Sequence, residues 1–196
     1  MFYAYAISFI ISFVIGSIPF GLLISKKQGI NIRKTGSGNI GATNVYRNLG
    51  KGAGALTLIC DLSKGFLAVF IVSLLFKNND IAIYISCISV VLGHDFSLLL
   101  KFKGGKGVAT TYGSTLFLYP YASLFGIVVW IAVLIWTKYS SLAALASFSF
   151  STLICFLFCS NNNLKFVFGF LLILMFIRHS GNIKRFMLKE EKRINF

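Results

Sequence analysis

The chain has 196 residues, is 57 % hydrophobic with a mean hydropathy of +0.82, and carries 19 Lys and Arg against 5 Asp and Glu, a net charge of +14. This composition excludes a water-soluble globular domain: several apolar runs approach the roughly 20 residues a helix needs to cross a hydrocarbon core of about 30 Å. A charge of that size would suggest nucleic acid in a soluble protein, but here it lies between apolar runs, where membrane orientation and anionic lipid head groups account for it, so no nucleic-acid partner is expected.

In chain order the apolar runs cover residues 2–25, 53–76, 81–100, 108–118, 121–137, 140–159 and 164–178. The first run lacks the charged start and small-residue cleavage site of a secretory signal and is expected to stay as a helix. Cys60, Cys87, Cys155 and Cys159 lie in or beside apolar runs at spacings that suit neither zinc nor a disulfide framework, and read as small buried hydrophobes.

The connection over 26–52 holds Lys26, Lys27, Arg33, Lys34, Arg47 and Lys51 with no acid, and the next basic cluster is Lys101, Lys103 and Lys106. The tail adds Lys184, Arg185, Lys189, Lys192 and Arg193 against Glu190 and Glu191. Positive connections stay cytoplasmic, which predicts the N-terminus outside, 26–52 inside, the Lys77–Asp80 turn outside and 101–107 inside. An even number of crossings must then separate 101–107 from the tail. That makes 108–118 a short or partial crossing, closed before Pro120 because the residue preceding a proline avoids helical backbone. The prediction is an all-α, polytopic integral membrane protein of seven spans forming a single domain over 1–196, with the N-terminus outside and the C-terminus cytoplasmic; a five-crossing arrangement, with 108–118 re-entrant and one later apolar run not a crossing, is the alternative. Lys138 reads as an exception in this map, a positive charge in a connection placed outside.

Two polar stretches exceed what topology requires. Between Gly36 and Gly54 there are six glycines, with Ser37, Asn39, Thr43, Asn44, Arg47 and Asn48 threaded among them. Glycine lets a backbone approach a ligand closely, and successive N–H groups form an anion-binding concavity. GSGNIG (36–41) matches the dinucleotide fingerprint formally but follows no strand, and KGGKG (103–107) lacks the first glycine of a Walker loop. What remains is chemistry suited to phosphate oxygens: Lys106 with Ser37 and the amides around Gly104, Gly105 and Gly107 for one phosphate, and Arg47 for another. Two anion grips on one cytoplasmic face imply a pair of substrates.

Polar groups inside the spans extend this reading. Asp61 and Lys64 share a helix face and are expected to pair toward the bundle interior or to mark the site. His94 is a candidate ligand contact or the partner of a backbone carbonyl, and the adjacent Asp95 points elsewhere. His179 and Asn182 stand three apart after the last run and can converge. No metal cluster or Ser–His–Asp set is discernible, no Asp follows either histidine at the fifth position, and carboxylates are too few for paired acid–base work. An enzyme built this way acts on an already activated substrate by positioning and electrostatics, without cofactor or metal.

SGNIGATNVYRNLGKGAG (37–54) with DLSKG (61–65), GHDFSLLLKFKGGKGVATTYG (93–113) and IRHSGNIKR (177–185) together resemble the acyl-phosphate:glycerol-3-phosphate acyltransferases of bacterial membranes, the PlsY family, over essentially the whole chain. Two positions depart from that pattern: Ser97 replaces a usual proline, and Ser180–Gly181 a usual basic–acidic pair. The resemblance implies a seven-helix protein of the bacterial cytoplasmic membrane, with its site on the cytoplasmic side. It implies transfer of an acyl chain from acyl phosphate to the 1-hydroxyl of glycerol 3-phosphate, giving lysophosphatidic acid, in contact with membrane lipid and working as a monomer. By motif position it implies Ser37, Arg47, Lys106, His179 and Asn182 as catalytic residues. Asn39, Gly41, Thr43, Asn44, His94, Lys103, Gly104, Gly105 and Gly107 would bind substrate. A transporter of a small phosphorylated anion and a structural membrane subunit are the rival classes; the chain shows no internal repeat of the kind many transporters carry.

Overall fold

The computed structural model describes residues 2–194; residue 1 and residues 195–196 of the expected 1–196 domain lie outside the described residues. In order the helices are α1 (Phe2–Ser17), α2 (Phe20–Lys27), α3 (Ala42–Leu75), α4 (Asp80–Asp95), α5 (Val108–Leu118), α6 (Pro120–Thr137), α7 (Ser140–Phe158), α8 (Asn162–Arg178) and α9 (Ser180–Met187), with single 3-10 turns at Ile32–Lys34 and Leu98–Leu100. The chain divides into two compact units between Phe117 and Leu118.

Five segments are long and apolar enough to cross a membrane: Phe2–Lys27, Ala42–Leu75, Asp80–Leu100, Pro120–Thr137 and Ser140–Phe158. A sixth arises if α8 and α9, bent by 54°, count as one span. The fourth expected span is α5, an 11-residue helix about 16 Å long at the usual rise per residue, roughly half of a hydrocarbon core. The polar stretch 26–52 also differs from a plain connection, because α3 begins at Ala42, well before the apolar run does. Residues 42–49 form helical turns that Gly50 sets off from the rest: its φ of 82° and ψ of −176° break the helix in a conformation open essentially to glycine alone.

In the first unit the helices meet through small residues, the way membrane helices bring backbones close when lipid offers no hydrophobic drive. Ser8, Ser12 and Gly16 recur every fourth residue on α1 and are buried. The Ser12 and Ser86 hydroxyls share a 2.7 Å hydrogen bond, and a methyl on Gly16 or Gly93 would strike the Val90 or the Phe13 carbonyl. Gly65 and Gly113 do the same for α3 and α5, facing the backbones of Thr110 and Leu62. Asn79 caps α4, its side-chain oxygen accepting from the Ala82 N–H at 3.1 Å.

In the second unit α7 and α8 pack through the stacked rings of Phe148 and Phe168, 5.8 Å apart. Asn161 caps α8, accepting from the Leu164 N–H at 3.1 Å. Tyr119 has non-helical backbone, as the following proline requires. The tail returns to the α6–α7 connection: the Ile194 N–H donates to the Lys138 carbonyl at 2.8 Å, and the Arg193 guanidinium lies 5.2 Å from the Tyr139 ring centre. Lys138 is therefore on the same side as the basic tail, which corrects its reading as an exception to the charge map. α7, α8 and α9 lie between Lys138 and the tail in the chain.

Candidate active site

The first glycine-rich loop is organised from inside by one amide. Asn44, 2 % exposed, accepts from the Ser37 N–H at 2.9 Å and from Asn48 Nδ2 at 3.2 Å. Its own Nδ2 donates toward the carbonyls of Asn39 at 2.8 Å, Thr35 at 3.1 Å and Ile32 at 3.2 Å. Both polar atoms of the Asn44 amide are engaged within the loop and with Asn48, which makes it an internal staple of residues 32–39. Gly36 has a φ of +62°, and a side chain there would meet the Asn44 and Asn48 amides. Ile32, Ile40, Val45, Leu22 and Ala53 form a small apolar core beneath the loop. Above it Ser37 is exposed, Asn39 and Gly41 are half-buried, and Ser37 Oγ accepts from the Asn39 N–H at 3.4 Å. Thr43 and Arg47, four residues apart and both half-buried, follow on the first turns of α3.

The second loop, Lys103–Gly107, lies against the end of α4. The Gly104 N–H donates to the Asp95 carbonyl at 3.2 Å and the Gly105 N–H to the His94 carbonyl at 3.0 Å. A side chain on Gly104 would enter that backbone, and one on Gly105 would strike the His94 ring. These two glycines serve close packing. Their N–H groups are hydrogen-bonded to α4 carbonyls. Gly107, with φ +69°, turns the chain into α5, and its carbonyl accepts from the Thr111 N–H at 2.7 Å. Lys106 is half-buried and Lys103 exposed.

Behind this loop is a buried charge cluster. The Lys64 ammonium forms an ion pair with Asp61 Oδ1 at 2.8 Å, lies 2.8 Å from His94 Nδ1 and donates to the Ile18 carbonyl at 2.9 Å. Asp61, Lys64 and His94 are all under 5 % exposed. The Ile18 carbonyl sits at the break between α1 and α2, where Pro19 interrupts the helix; irregular backbone at membrane depth needs such a partner. His94 thus joins the Asp61–Lys64 pair beneath Gly105. Ser97 serves the same break, its hydroxyl donating to the Ser17 carbonyl at 2.6 Å, while Ser17 Oγ accepts from the Leu98 N–H at 3.2 Å. A proline at 97 would leave that carbonyl without this donor.

In the second unit His179 joins α8 to α9, buried at 2 % exposure. Its Nδ1 donates to the Met175 carbonyl at 2.9 Å, which makes Nε2 the basic nitrogen of the neutral ring. Asn182 Nδ2 donates to Glu191 Oε1 at 2.5 Å. The same carboxylate accepts from Ser141 Oγ at 2.8 Å and from Arg185 Nε at 2.9 Å. Burial alone would raise the Glu191 pKa, but the hydrogen bonds from Asn182, Ser141 and Arg185 and the Arg185 charge outweigh it and hold the carboxyl below its usual range.

The structure therefore groups Ser37, Asn39, Gly41, Thr43, Asn44 and Arg47 on one loop and helix start, Lys103–Gly107 on a second loop of the same unit, and His179 with Asn182 in the other unit. Sequence reasoning missed Asn48, Glu191 and Arg33, whose guanidinium Nη2 donates to the Lys103 carbonyl. Asn48 had a signal, its four-residue spacing from Asn44, and Glu191 is one of only five acids in the chain.

Apolar helices with small-residue seams, five segments of them long and apolar enough to cross a membrane, define a helical membrane protein, and two glycine-rich loops carry Arg and Lys. Residues 6–189 match the family model described as glycerol-3-phosphate acyltransferase, and the chain belongs to that family. It is 44 % identical over 189 residues to the glycerol-3-phosphate acyltransferase of Wolbachia sp. subsp. Brugia malayi (96 % of this chain, 98 % of the relative). It is 40 % identical over 187 residues to glycerol-3-phosphate acyltransferase 2 of Thermotoga maritima (95 % and 94 %). Among solved structures it resembles the glycerol 3-phosphate form of PlsY, an integral membrane glycerol 3-phosphate acyltransferase, with a TM-score of 0.92 and 35 % identity, covering 97 % of this chain and 96 % of that one. The lysophosphatidic acid form of PlsY gives a TM-score of 0.90 and 34 % identity, covering 97 % and 95 %.

Proposed function

We propose that this protein transfers a fatty acyl group from acyl phosphate to the 1-hydroxyl of glycerol 3-phosphate, releasing lysophosphatidic acid and phosphate at the cytoplasmic face of a bacterial inner membrane. The observation that carries the reading is the whole-chain likeness, at 35 % identity and a TM-score of 0.92, to an acyltransferase whose solved forms are described by glycerol 3-phosphate and by lysophosphatidic acid. Acyl phosphate is the proposed donor because it is a mixed anhydride with a good leaving group, so the enzyme needs no nucleophile of its own.

The glycerol hydroxyl oxygen attacks the acyl carbonyl carbon, the carbon–oxygen bond to phosphate breaks, and the bonding pair leaves with the phosphate. Arg47 grips the glycerol 3-phosphate through its planar fork. Lys106 and Ser37 stabilise the departing phosphate, a charge that grows in the transition state. The hydroxyl proton passes to a substrate phosphate, so the step needs no base from the protein. Asn39, Thr43 and Lys103 complete the polar lining of the first unit, and the acyl chain lies between helices at the inner leaflet. Seven crossings with the N-terminus outside belong to this proposal, with α5 a short crossing sheltered by α3.

The test supplies purified protein in detergent or mesophase with glycerol 3-phosphate and palmitoyl phosphate, with palmitoyl-CoA as a parallel donor, and follows both products. Matched release of phosphate and lysophosphatidic acid from palmitoyl phosphate alone supports the reading. No product with either donor from folded protein overturns it. Arg47→Ala and Lys106→Ala are each expected to reduce turnover on the order of 100-fold or more, as removal of a single transition-state donor does, with thermal unfolding unchanged.

A further inference from the structure

The two glycine-rich loops are far apart in sequence but joined by one side chain. Arg33 lies in the 3-10 turn Ile32–Lys34, whose start is fixed by Asn31 Oδ1 accepting from the Arg33 N–H at 3.2 Å. Ile32 is fully buried, and its carbonyl accepts from the Asn44 amide at 3.2 Å. The main chain at Arg33 is also closed upon by Gly38, where a side chain would come within 3.1 Å of the Arg33 carbonyl. The backbone that carries Arg33 is thus part of the rigid first loop. Its guanidinium donates to the Lys103 carbonyl in the second loop.

That carbonyl and the Gly104 N–H belong to one peptide unit. Its N–H is held by the Asp95 carbonyl at 3.2 Å and its C=O by Arg33, so the plane of the peptide is fixed from both sides, by α4 and by the first loop. Lys106 follows two residues after Gly104, with the intervening Gly105 amide bound to the His94 carbonyl at 3.0 Å. Without the Arg33 contact the Lys103–Gly104 peptide can pivot about its single remaining hydrogen bond, and glycine at 104 and 105 offers little torsional resistance.

We infer that Arg33 is a positioning residue that locks the second glycine-rich loop to the first and so sets where the Lys106 ammonium stands relative to Ser37 and Arg47. The inference rests on the acyltransferase reading for its catalytic consequence, and on geometry alone for the lock. Arg33 holds a backbone carbonyl and touches no reacting atom, so its loss acts on the step that depends on placing Lys106.

The test combines kinetics with hydrogen–deuterium exchange on Arg33→Ala and Arg33→Lys in detergent. Arg33→Ala is expected to lower kcat on the order of 10- to 100-fold, the scale of a small misplacement, with KM for glycerol 3-phosphate within about twofold because Arg47 is retained. Arg33→Lys keeps a donor to the carbonyl and recovers part of the loss. In a Lys106→Arg background, Arg33→Ala costs less than it does alone, since residues acting through one another are non-additive. Exchange in the segment 102–107 rises in Arg33→Ala while that of 80–93 stays as it was. An unchanged kcat, unchanged exchange at 102–107, or a uniform rise through α4 overturns the inference. If the wild type turns over neither donor yet exchange rises at 102–107 alone, the lock stands and the acyltransferase reading falls.

Discussion

Some polar side chains of the glycine-rich loops are consumed in holding the loop backbone and others stay partly exposed, and sequence spacing does not separate the two. Asn39 and Asn44 look alike in the motif, but Asn44 is buried with its amide saturated, whereas Asn39 is half-buried beside Ser37. The distinction depends on which carbonyls the loop turns inward, a property of its fold. Glu191 gives the residue-scale pH prediction. Its carboxyl is held below the ordinary carboxylate range in the folded protein, so the unfolded chain binds its proton first as pH falls. The stabilisation is fully present above the ordinary range, about pH 4.3, and is lost as pH falls through that range toward the folded value. Glu191→Gln is expected to lower thermal stability at pH 7 and to flatten its decline between about pH 5 and pH 3, read by unfolding curves across that window.

Elements show where helix geometry serves the site. Arg47 lies on a short helical stretch that Gly50 sets at an angle to the membrane part of α3, and nothing crowds Gly50, so only its backbone torsion demands glycine. Gly50→Ala is expected to destabilise by about 1–3 kcal/mol and to reduce turnover more than an alanine at exposed, unstrained Gly52 does, measured by unfolding and product release side by side. The break between α1 and α2 is held by Lys64 and Ser97. Lys64→Met leaves the Asp61 charge buried without its cation. The expected cost is about 3–5 kcal/mol, as for other broken buried pairs, read by thermal unfolding in detergent; Lys64→Met with Asp61→Asn together should recover much of it. The spacing of Asp61 and Lys64 was legible as a shared face. The carbonyl they serve was not, because it lies 46 residues away.

For the whole molecule, the charge map with seven crossings makes a prediction of sidedness. In a variant with Cys60, Cys87, Cys155 and Cys159 replaced, a cysteine at Asn78 is expected to react with an impermeant maleimide in intact cells. Cysteines at Lys138 or Lys189 should react only after permeabilisation. Labelling of position 138 in intact cells would separate it from the tail and contradict the Ile194–Lys138 hydrogen bond. Counted through seven crossings, the α6–α7 connection already falls on the same side as the tail, and the Ile194–Lys138 hydrogen bond agrees.

The sequence by itself determined that the chain is a helical membrane protein and where its basic and glycine-rich connections lie. Those properties follow from apolar run length, charge asymmetry and local composition, all of which are additive along the chain. Only the tertiary structure decided that α3 starts eleven residues before its apolar run, that the Gly104 and Gly105 N–H groups bond to α4 carbonyls, and that the Arg33 guanidinium donates to the Lys103 carbonyl of the second loop. Each of those depends on which carbonyl a given donor meets across tens of residues, and no local pattern encodes that meeting.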